Sequence, residues 1–443
     1  MRSWLLRHPA RAVLSAFLLA IVSGTVLLEI PISSTDPGSA PRLTALFTAT
    51  SAITVTGLTP VDPATYWTPF GQGVILVLIQ LGGLGIMTSA SLFLLLASKR
   101  IGLRARLATQ AETHTLSLGD LRRLVVTIIA FTVVFEVIAV AVLSVRLWTL
   151  GRSPAEALWE GTFHGVSAFN NAGFSIYTDN LIGFAADAWV LVTVAVAVIC
   201  GGLGFPVWLD LRRRLFAPAR WSLHTKLTLA VTGVLLGAGT VILTALEWRD
   251  EDTLGALAPG YRVLGGFFAA TMPRTAGFNA VDYSVMDESS LLVTDMLMFA
   301  GGGAGGTAGG LKVTTLAVLF LVVWAEVRGD REVVAFRRRI PRSVLRQALT
   351  VAVISSNLVV AATVALMVTN DIPLSAALFE ATSAFATVGL STGVTSQLNE
   401  AGQAMLVPLM LLGRIGPLTL FVALVLRERE RLFTHPEERP IIG

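Results

Sequence analysis

One thirteen-residue segment occurs four times in this chain of 443 residues, and any fold has to accommodate all four copies at once. The copies are FTATSAITVTGLT from Phe47, FHGVSAFNNAGFS from Phe163, FFAATMPRTAGFN from Phe267 and FEATSAFATVGLS from Phe379. Aligned without gaps, each places a phenylalanine ten positions ahead of one glycine: Gly57, Gly173, Gly277 and Gly389. Ser51, Ser167 and Ser383, each followed by alanine, sit six positions before that glycine, whereas Thr271-Met272 replaces the pair in the third copy. More than a hundred residues separate consecutive glycines, so what repeats is a whole structural unit, and such repetition outranks local propensity in deciding architecture.

The composition decides the medium. A chain that is 54% hydrophobic and 14% charged has too little polar surface for an ordinary soluble core and belongs in a bilayer. Apolar segments near residues 12–30, 73–97, 124–147, 188–209, 227–246, 290–325, 349–369 and 402–426 are each long enough to cross about 30 Å of hydrocarbon. That predicts two crossings per repeat. The basic start followed by an apolar run imitates a secretory signal, but no small-residue cleavage site follows 12–30, so a transmembrane helix is expected there. Between the two crossings of each pair runs a stretch of about 10–14 residues ending at the repeated glycine, too short to span and expected to be re-entrant. Such a segment persists at membrane depth only where protein or a water-filled cavity surrounds its non-helical end. The predicted organisation is repeat 1 over 1–98, a linker over 99–123, repeat 2 over 124–211, a linker over 212–223 and repeat 3 over 224–327. A linker over 328–343, repeat 4 over 344–426 and a tail over 427–443 complete it.

Charge sets the orientation. Arg42, Arg146, Arg152, Arg249, Arg262 and Arg274 are assigned to one side, Lys312 and Arg414 fall inside apolar runs, and the remaining lysines and arginines lie opposite. By the positive-inside rule both termini and the runs Lys99 to Arg106, Arg212 to Arg214, Arg328 to Arg346 and Arg427 to Arg431 are cytoplasmic. All four short segments then enter from outside, and four parallel copies can surround an axis along the membrane normal. Outer carboxylates such as Asp250, Glu251 and Asp252 give that side a field favouring cations, or merely solvate the loops. The single Cys200 excludes an intramolecular disulfide, and the five scattered histidines lack the spacing of a structural metal site. No nucleophile, base and orienting partner recur together, which argues against an enzyme.

Four parallel copies around an axis suggest a specific chemistry. A cation leaving water needs oxygens in place of its hydration shell, and rings of backbone carbonyls supply them. Aiming successive carbonyls at an axis requires unusual dihedrals, which glycine adopts without a Cβ penalty. A short helix ending there also directs its partial negative charge at the ion. The competing account is a set of tight turns in helical hairpins, which one copy would satisfy but four in register do not favour. The second crossings carry their own echo: Gly82-Gly83-Leu84-Gly85, Gly201-Gly202-Leu203-Gly204 and Gly302-Gly303-Ala304-Gly305 align with Gly413-Arg414-Ile415-Gly416. Close helix packing alone explains the glycines. Arg414, standing where its siblings have glycine, is expected to face a cavity and act as a barrier to cations, or to form a structural ion pair. The third such crossing is interrupted by Gly301, Gly302, Gly303, Ala304, Gly305, Gly306, Thr307, Ala308, Gly309, Gly310, Leu311 and Lys312, too glycine-rich for continuous helix. Irregular backbone at that depth must line a cavity. A phosphate-binding loop is disfavoured because GGLKVTT lacks the glycine-lysine-hydroxyl adjacency and a preceding strand. Lys312 either anchors the interruption or snorkels to the interface. Glu136 and Asp295 are either polar packing groups or part of ion coupling.

The segments TVTGL, NNAGFS, TAGFN and TVGLS resemble the four filter segments of the Trk/Ktr/HKT superfamily of potassium transporters, over nearly the whole chain. The likeness is closest to the KtrB branch, because no additional helix pair precedes the first repeat. The resemblance implies an all-α membrane protein of four tandem parallel repeats, each an outer helix, a re-entrant pore helix with filter loop and an inner helix, in the fourfold pseudosymmetry of potassium channels. It implies a potassium-binding filter of Val55, Thr56, Gly57, Asn171, Ala172, Gly173, Thr275, Ala276, Gly277, Thr387, Val388 and Gly389, K+ being the only metal ion concerned. Only Thr387-Val388-Gly389 reproduces the start of the TVGYG loops of potassium channels, so looser K+ over Na+ discrimination is compatible with the pattern. Gly57, where sodium-preferring relatives carry serine, supports potassium. The resemblance also identifies 301–312 as an intramembrane gate loop and Arg414 as a cavity arginine, in a homodimer in the bacterial cytoplasmic membrane. Nucleotide would be bound by a separate cytosolic ring of RCK subunits, KtrA-like, and not by this chain, with no nucleic acid involved. Na+ dependence is among the behaviours the resemblance allows. A secondary transporter of another solute, built on inverted repeats, is the alternative.

Overall fold

The computed structural model describes residues 9–36, 38–106 and 118–426. The basic tail from Arg427, the first eight residues and the centre of the 99–123 linker, all expected to be cytoplasmic, lie outside the described residues. The chain is helical almost throughout, and its helices follow one order four times.

The first unit is α1 (Pro9–Glu29), the short α2 (Arg42–Thr54), a single turn α3 (Pro63–Tyr66) and the long α4 (Pro69–Arg106). The second is α5 (Leu118–Thr149), α6 (Pro154–Phe169), α7 (Ala188–Leu203) and α8 (Phe205–Arg214). In the third, α9 (Leu223–Leu246) and α10 (Pro259–Thr271) precede α11 (Glu288–Phe299), a non-helical stretch and α12 (Val313–Arg328). A two-stranded hairpin, β1 (Val334–Ala335) with β2 (Arg338–Arg339), leads into α13 (Arg342–Asn370), α14 (Leu374–Ala386) and α15 (Glu400–Leu426). Helix starts follow from local chemistry. Ser153 and Glu156 form a reciprocal capping box with Pro154 at the first helical position of α6, Asp187 accepts from the Trp189 and Val190 amides at α7, and Ser222 caps α9.

The four units close on themselves. Each short helix packs within its own unit, and each inner helix also contacts the short helix of the next: α4 with α6, α7 with α10, α11 with α14, and α15 back with α2. This cyclic contact makes one chain into a fourfold pseudosymmetric bundle. The outward faces of α5, α9 and α13 carry exposed valine, isoleucine and leucine, as lipid-facing surfaces require.

Two sequence expectations change, and of the two alternatives for Lys312 the anchor is the one formed. The apolar run 188–209 is not one straight crossing: α7 and α8 meet at 93°. Gly204, at φ 92° and ψ 144°, makes the corner, and Pro206 sits in the first turn of the new helix, where its missing N–H is no loss. Arg274, counted with the outer residues, is buried just past α10, where its guanidinium donates to the Thr232 hydroxyl at 3.1 Å. A charge count by loop misplaces it because it sits in the non-helical end of a re-entrant segment. Lys312 does not snorkel: its ammonium donates to the Ala308 and Gly309 carbonyls at 2.6 and 3.4 Å and ties the glycine-rich stretch to its own exit.

Candidate functional site: four converging turns above a glycine-rich loop

The short helices α2, α6, α10 and α14 all end just ahead of the triplets singled out in the sequence. Val55, Asn171, Thr275 and Thr387, the first residue of each triplet, adopt positive φ of 56°, 59°, 68° and 53°. The glycines close the same turns at 93°, 69°, 71° and 94°. Positive φ is uncommon outside glycine and sterically poor for β-branched residues, so Val55, Thr275 and Thr387 mark backbone held in place by its surroundings. Asn171 alone is of a type that tolerates this conformation.

The turns are tied to their helices by their amides. Thr56, Ala172 and Val388 each donate N–H to the Ser51, Ser167 or Ser383 carbonyl at 2.8 Å. Gly57 and Gly389 donate to the hydroxyls of Ser51 and Ser383 at 3.0 and 3.1 Å, and the Ser167 hydroxyl donates to the Phe174 carbonyl at 2.8 Å. The third copy, lacking the Ser-Ala pair, uses the Met272 carbonyl for both Ala276 and Gly277, at 2.9 and 3.3 Å. Departure from the repeat in sequence is thus a departure in hydrogen bonding. With the amides turned toward the helices, the carbonyls of the middle residues are free to point elsewhere.

They point at one another's glycines. A Cβ added to Gly57 would strike the Ala172 carbonyl oxygen, and one on Gly173 would lie 2.7 Å from the Ala276 oxygen. On Gly277 it would strike the Val388 oxygen, and on Gly389 the Thr56 oxygen. The same added atoms would fall 3.2, 2.8, 3.1 and 2.9 Å from the Cα of the next glycine round, the last returning to Gly57. The four turns therefore form a closed ring with no room for a side chain, and every non-glycine residue of the triplets is fully buried. Carbonyl oxygens in such a ring are hard, uncharged donors suited to a desolvated monovalent cation.

On one side the ring opens into a vestibule of about 470 Å³ lined by Gly57, Gly173 and Gly389. Asp62, Asp179 and Asp282, one from each of the first three units, stand around it. Asp250, Glu251 and Asp252, in the turn after α9, are not among the residues that line it.

On the other side lies the 301–312 stretch. A Cβ on Gly309 would strike the Thr387 hydroxyl oxygen, so the loop passes directly against the fourth turn. The Thr307 hydroxyl sits 2.8 Å from the Asn171 side-chain amide and donates to the Phe169 carbonyl at 3.3 Å, which joins the loop to the second turn. The loop's peptide groups find partners in the corner at Gly204: Gly303 and Thr307 donate to the Gly202 and Gly201 carbonyls at 2.8 and 3.2 Å, and Phe205 donates to Gly305 at 3.1 Å. Arg414 on α15 is 4% exposed, and none of its guanidinium nitrogens has a hydrogen-bond partner among the described residues. The expected alternative of a structural ion pair is not formed among the described residues.

Several polar contacts had no sequence signal beyond residue type. Glu136 accepts from the Asn170 and Gln80 side-chain amides at 2.9 and 3.2 Å, while Asn170 also donates to the Gln80 oxygen at 3.0 Å. This triad backs the end of α6, which makes Glu136 a packing group there. Asp295 is buried on α11, with one carboxylate oxygen unpartnered among the described residues.

Comparison with known proteins is consistent along the whole length. A family model described as TrkH, cation transport protein, matches residues 6–434. Ktr system potassium uptake protein B of Bacillus subtilis is 40% identical over 97% of this chain and 96% of its own. The protein of the same name from Vibrio alginolyticus is 38% identical over 98% of this chain and 94% of its own. Potassium/sodium uptake protein NtpJ of Enterococcus hirae is 35% identical over 98% and 97%. The crystal structure of the potassium transporter TrkH from Vibrio parahaemolyticus superposes with a TM-score of 0.72 at 17% identity, covering 92% of this chain and 84% of that one.

Proposed function

We propose, starting from the fact that this chain belongs to the TrkH family of cation transport proteins, that it is the potassium-translocating subunit of a Ktr/Trk-type uptake system. The observation that carries this reading is the closed ring of four glycine turns, in which the carbonyl oxygens of Thr56, Ala172, Ala276 and Val388 each lie beside the glycine of a neighbouring turn. In this reading Val55-Thr56-Gly57, Asn171-Ala172-Gly173, Thr275-Ala276-Gly277 and Thr387-Val388-Gly389 replace the hydration shell of K+. The vestibule carboxylates gather cations, and the aligned C-terminal ends of α2, α6, α10 and α14 stabilise an ion just below the ring. The stretch from Gly301 to Lys312 is the gate, and Arg414 is a fixed positive charge that limits passage. Replacing Arg414 with alanine raises cation flux; unchanged or lower flux in a folded variant contradicts the barrier role.

The unit boundaries expected from the sequence serve in this reading as boundaries of four pore-forming repeats. The protein works as a homodimer in the bacterial cytoplasmic membrane, both termini inside, regulated by a cytosolic nucleotide-binding ring of RCK subunits. A second reading, a less selective K+/Na+ translocator, is favoured by one observation: of the four triplets only the last is Thr-Val-Gly, and NtpJ is named for both ions. Purified protein in proteoliposomes, challenged with K+, Rb+ and Na+ gradients, separates the two. Uptake of K+ and Rb+ well ahead of Na+ supports the first, equal uptake the second, and no alkali-ion uptake overturns both.

A further inference from the structure

The ring is held from behind in an uneven way. Nine positions before each filter glycine the short helices present Thr48, His164, Phe268 and Glu380, and two positions after it the chain carries Thr59, Ser175, Asn279 and Ser391. In the fourth repeat these positions meet. Glu380, fully buried, accepts from the Ser391 hydroxyl with one oxygen and from the Thr395 hydroxyl at 2.7 Å with the other. Among the described residues no lysine or arginine pairs with this carboxyl group.

The second repeat forms the same bridge from different residues. His164 Nδ1 lies 2.7 Å from the Glu160 carbonyl and must donate there, which leaves Nε2, 3.0 Å from Ser175 Oγ, to accept that hydroxyl. The ring of Tyr177 stacks on the imidazole at 4.5 Å, and its own hydroxyl donates to Glu160 at 2.7 Å, so the imidazole has no freedom to turn. In the first repeat the Thr48 hydroxyl is buried without a partner among the described residues, and in the third Phe268 offers none. Because the glycines touch in the order 57, 173, 277, 389 and back, the second and fourth repeats stand across the axis from each other.

We propose that Glu380 and His164 are positioning residues that set ion selectivity: across one diagonal of the ring they bolt the strand leaving each filter glycine to its pore helix. This inference rests on the filter reading given above. Gly389 is then fixed on both sides, by Ser383 at its amide and by Glu380 through Ser391 one residue beyond its neighbour. K+ and Na+ differ in the oxygen cage they need, so a carbonyl free to move inward lets the smaller ion be coordinated. On the other diagonal neither Thr48 nor Phe268 forms such a side-chain bridge among the described residues, and those turns keep only their amide ties to the pore helices.

The test is the K+ over Na+ uptake ratio of reconstituted variants. Glu380→Ala and His164→Ala are each expected to lower it roughly tenfold, as loss of a buried charge-assisted or imidazole hydrogen bond allows, with K+ uptake itself retained. Glu380→Gln, whose amide can still engage both hydroxyls, is expected to hold the wild-type ratio. Thr48→Val, at the same register on the other diagonal, is expected to change nothing. Ser391→Ala removes the same bolt from its other end, so it keeps the test decisive if Glu380→Ala does not reach the membrane. A ratio unmoved in Ser391→Ala or Glu380→Ala overturns the proposal, as does an equal fall in Thr48→Val. Gly389→Ser serves as the reference: if it leaves the ratio unchanged, the filter reading itself fails, whereas a shift there without one in the bolt variants condemns only the bolts.

Discussion

The inner helices of the first and third repeats start from nearly the same motif, Gly82-Gly83-Leu84-Gly85 and Gly302-Gly303-Ala304-Gly305, and reach opposite conformations. The first runs unbroken through α4, and the third has no helix between Phe299 and Val313. Glycine permits both outcomes, so the motif is not what separates them. The difference lies in density and in partners. In α4 the glycine cluster ends at Gly85 and is followed by isoleucine and methionine, and Gly82 lets the helix lie directly against the Ile53 carbonyl at the end of α2. In the third repeat the glycines continue to Gly310, and the peptide groups released from helix are taken up by the Gly204 corner of the second repeat. Two interruptions in neighbouring repeats satisfy each other, as irregular backbone at membrane depth requires.

Substitutions can break this contrast, the most severe at the corner. Gly204→Val places a branched side chain at φ 92°, and its Cβ would lie 2.7 Å from the Ala304 carbonyl oxygen and 3.0 Å from the Gly306 amide. The loop cannot dock, and transport is expected to be lost with a fall in thermal stability matching at least about 1–3 kcal/mol of backbone strain, measured by uptake and melting in detergent. A smaller effect is expected from Thr307→Val, which keeps the shape but removes the hydroxyl shared with Phe169 and Asn171. Its cost is about 1 kcal/mol, seen as a several-fold rise in uptake as the loop is released. An unchanged rate would show that this contact does not hold the loop closed. The mildest is Gly85→Ala on the unbroken helix, where the added methyl meets only the Phe17 ring at 3.9 Å. Melting is expected to rise slightly, by up to about 1 kcal/mol of helix propensity, with uptake intact. A loss of uptake there would mean that α4 has to bend during transport, and the contrast between the two helices would be one of degree.

The sequence disclosed the architecture because four copies in register constrain one another. Phe47, Phe163, Phe267 and Phe379 locate the short helices, and Gly57 and its three equivalents locate their ends. Thr271-Met272 even marked the repeat whose amides are tied differently. What stayed hidden has physical reasons. Val55 and Thr387 are poor candidates for positive φ by residue type, and only the surrounding ring imposes it. The corner at Gly204 was invisible because its motif matches that of a straight helix, and the loop that stabilises the corner lies about a hundred residues further along the chain. Arg274 was assigned by loop position, although a re-entrant segment turns around inside the protein. Glu380 and Ser391 stand at opposite ends of one short segment whose helix and turn must fold back to join them, and the second copy makes the same bridge with different residues, so the side-chain pattern does not repeat.

The closed ring also has a genetic meaning. In an assembly of four identical subunits every mutation is written four times, and no quadrant can be changed alone. Here Thr56, Ala172, Ala276 and Val388 are encoded separately, so a single codon alters one quarter of the ring and leaves the other three as they were. Selection, or an engineer, can therefore adjust this ring in increments that a symmetric tetramer does not have.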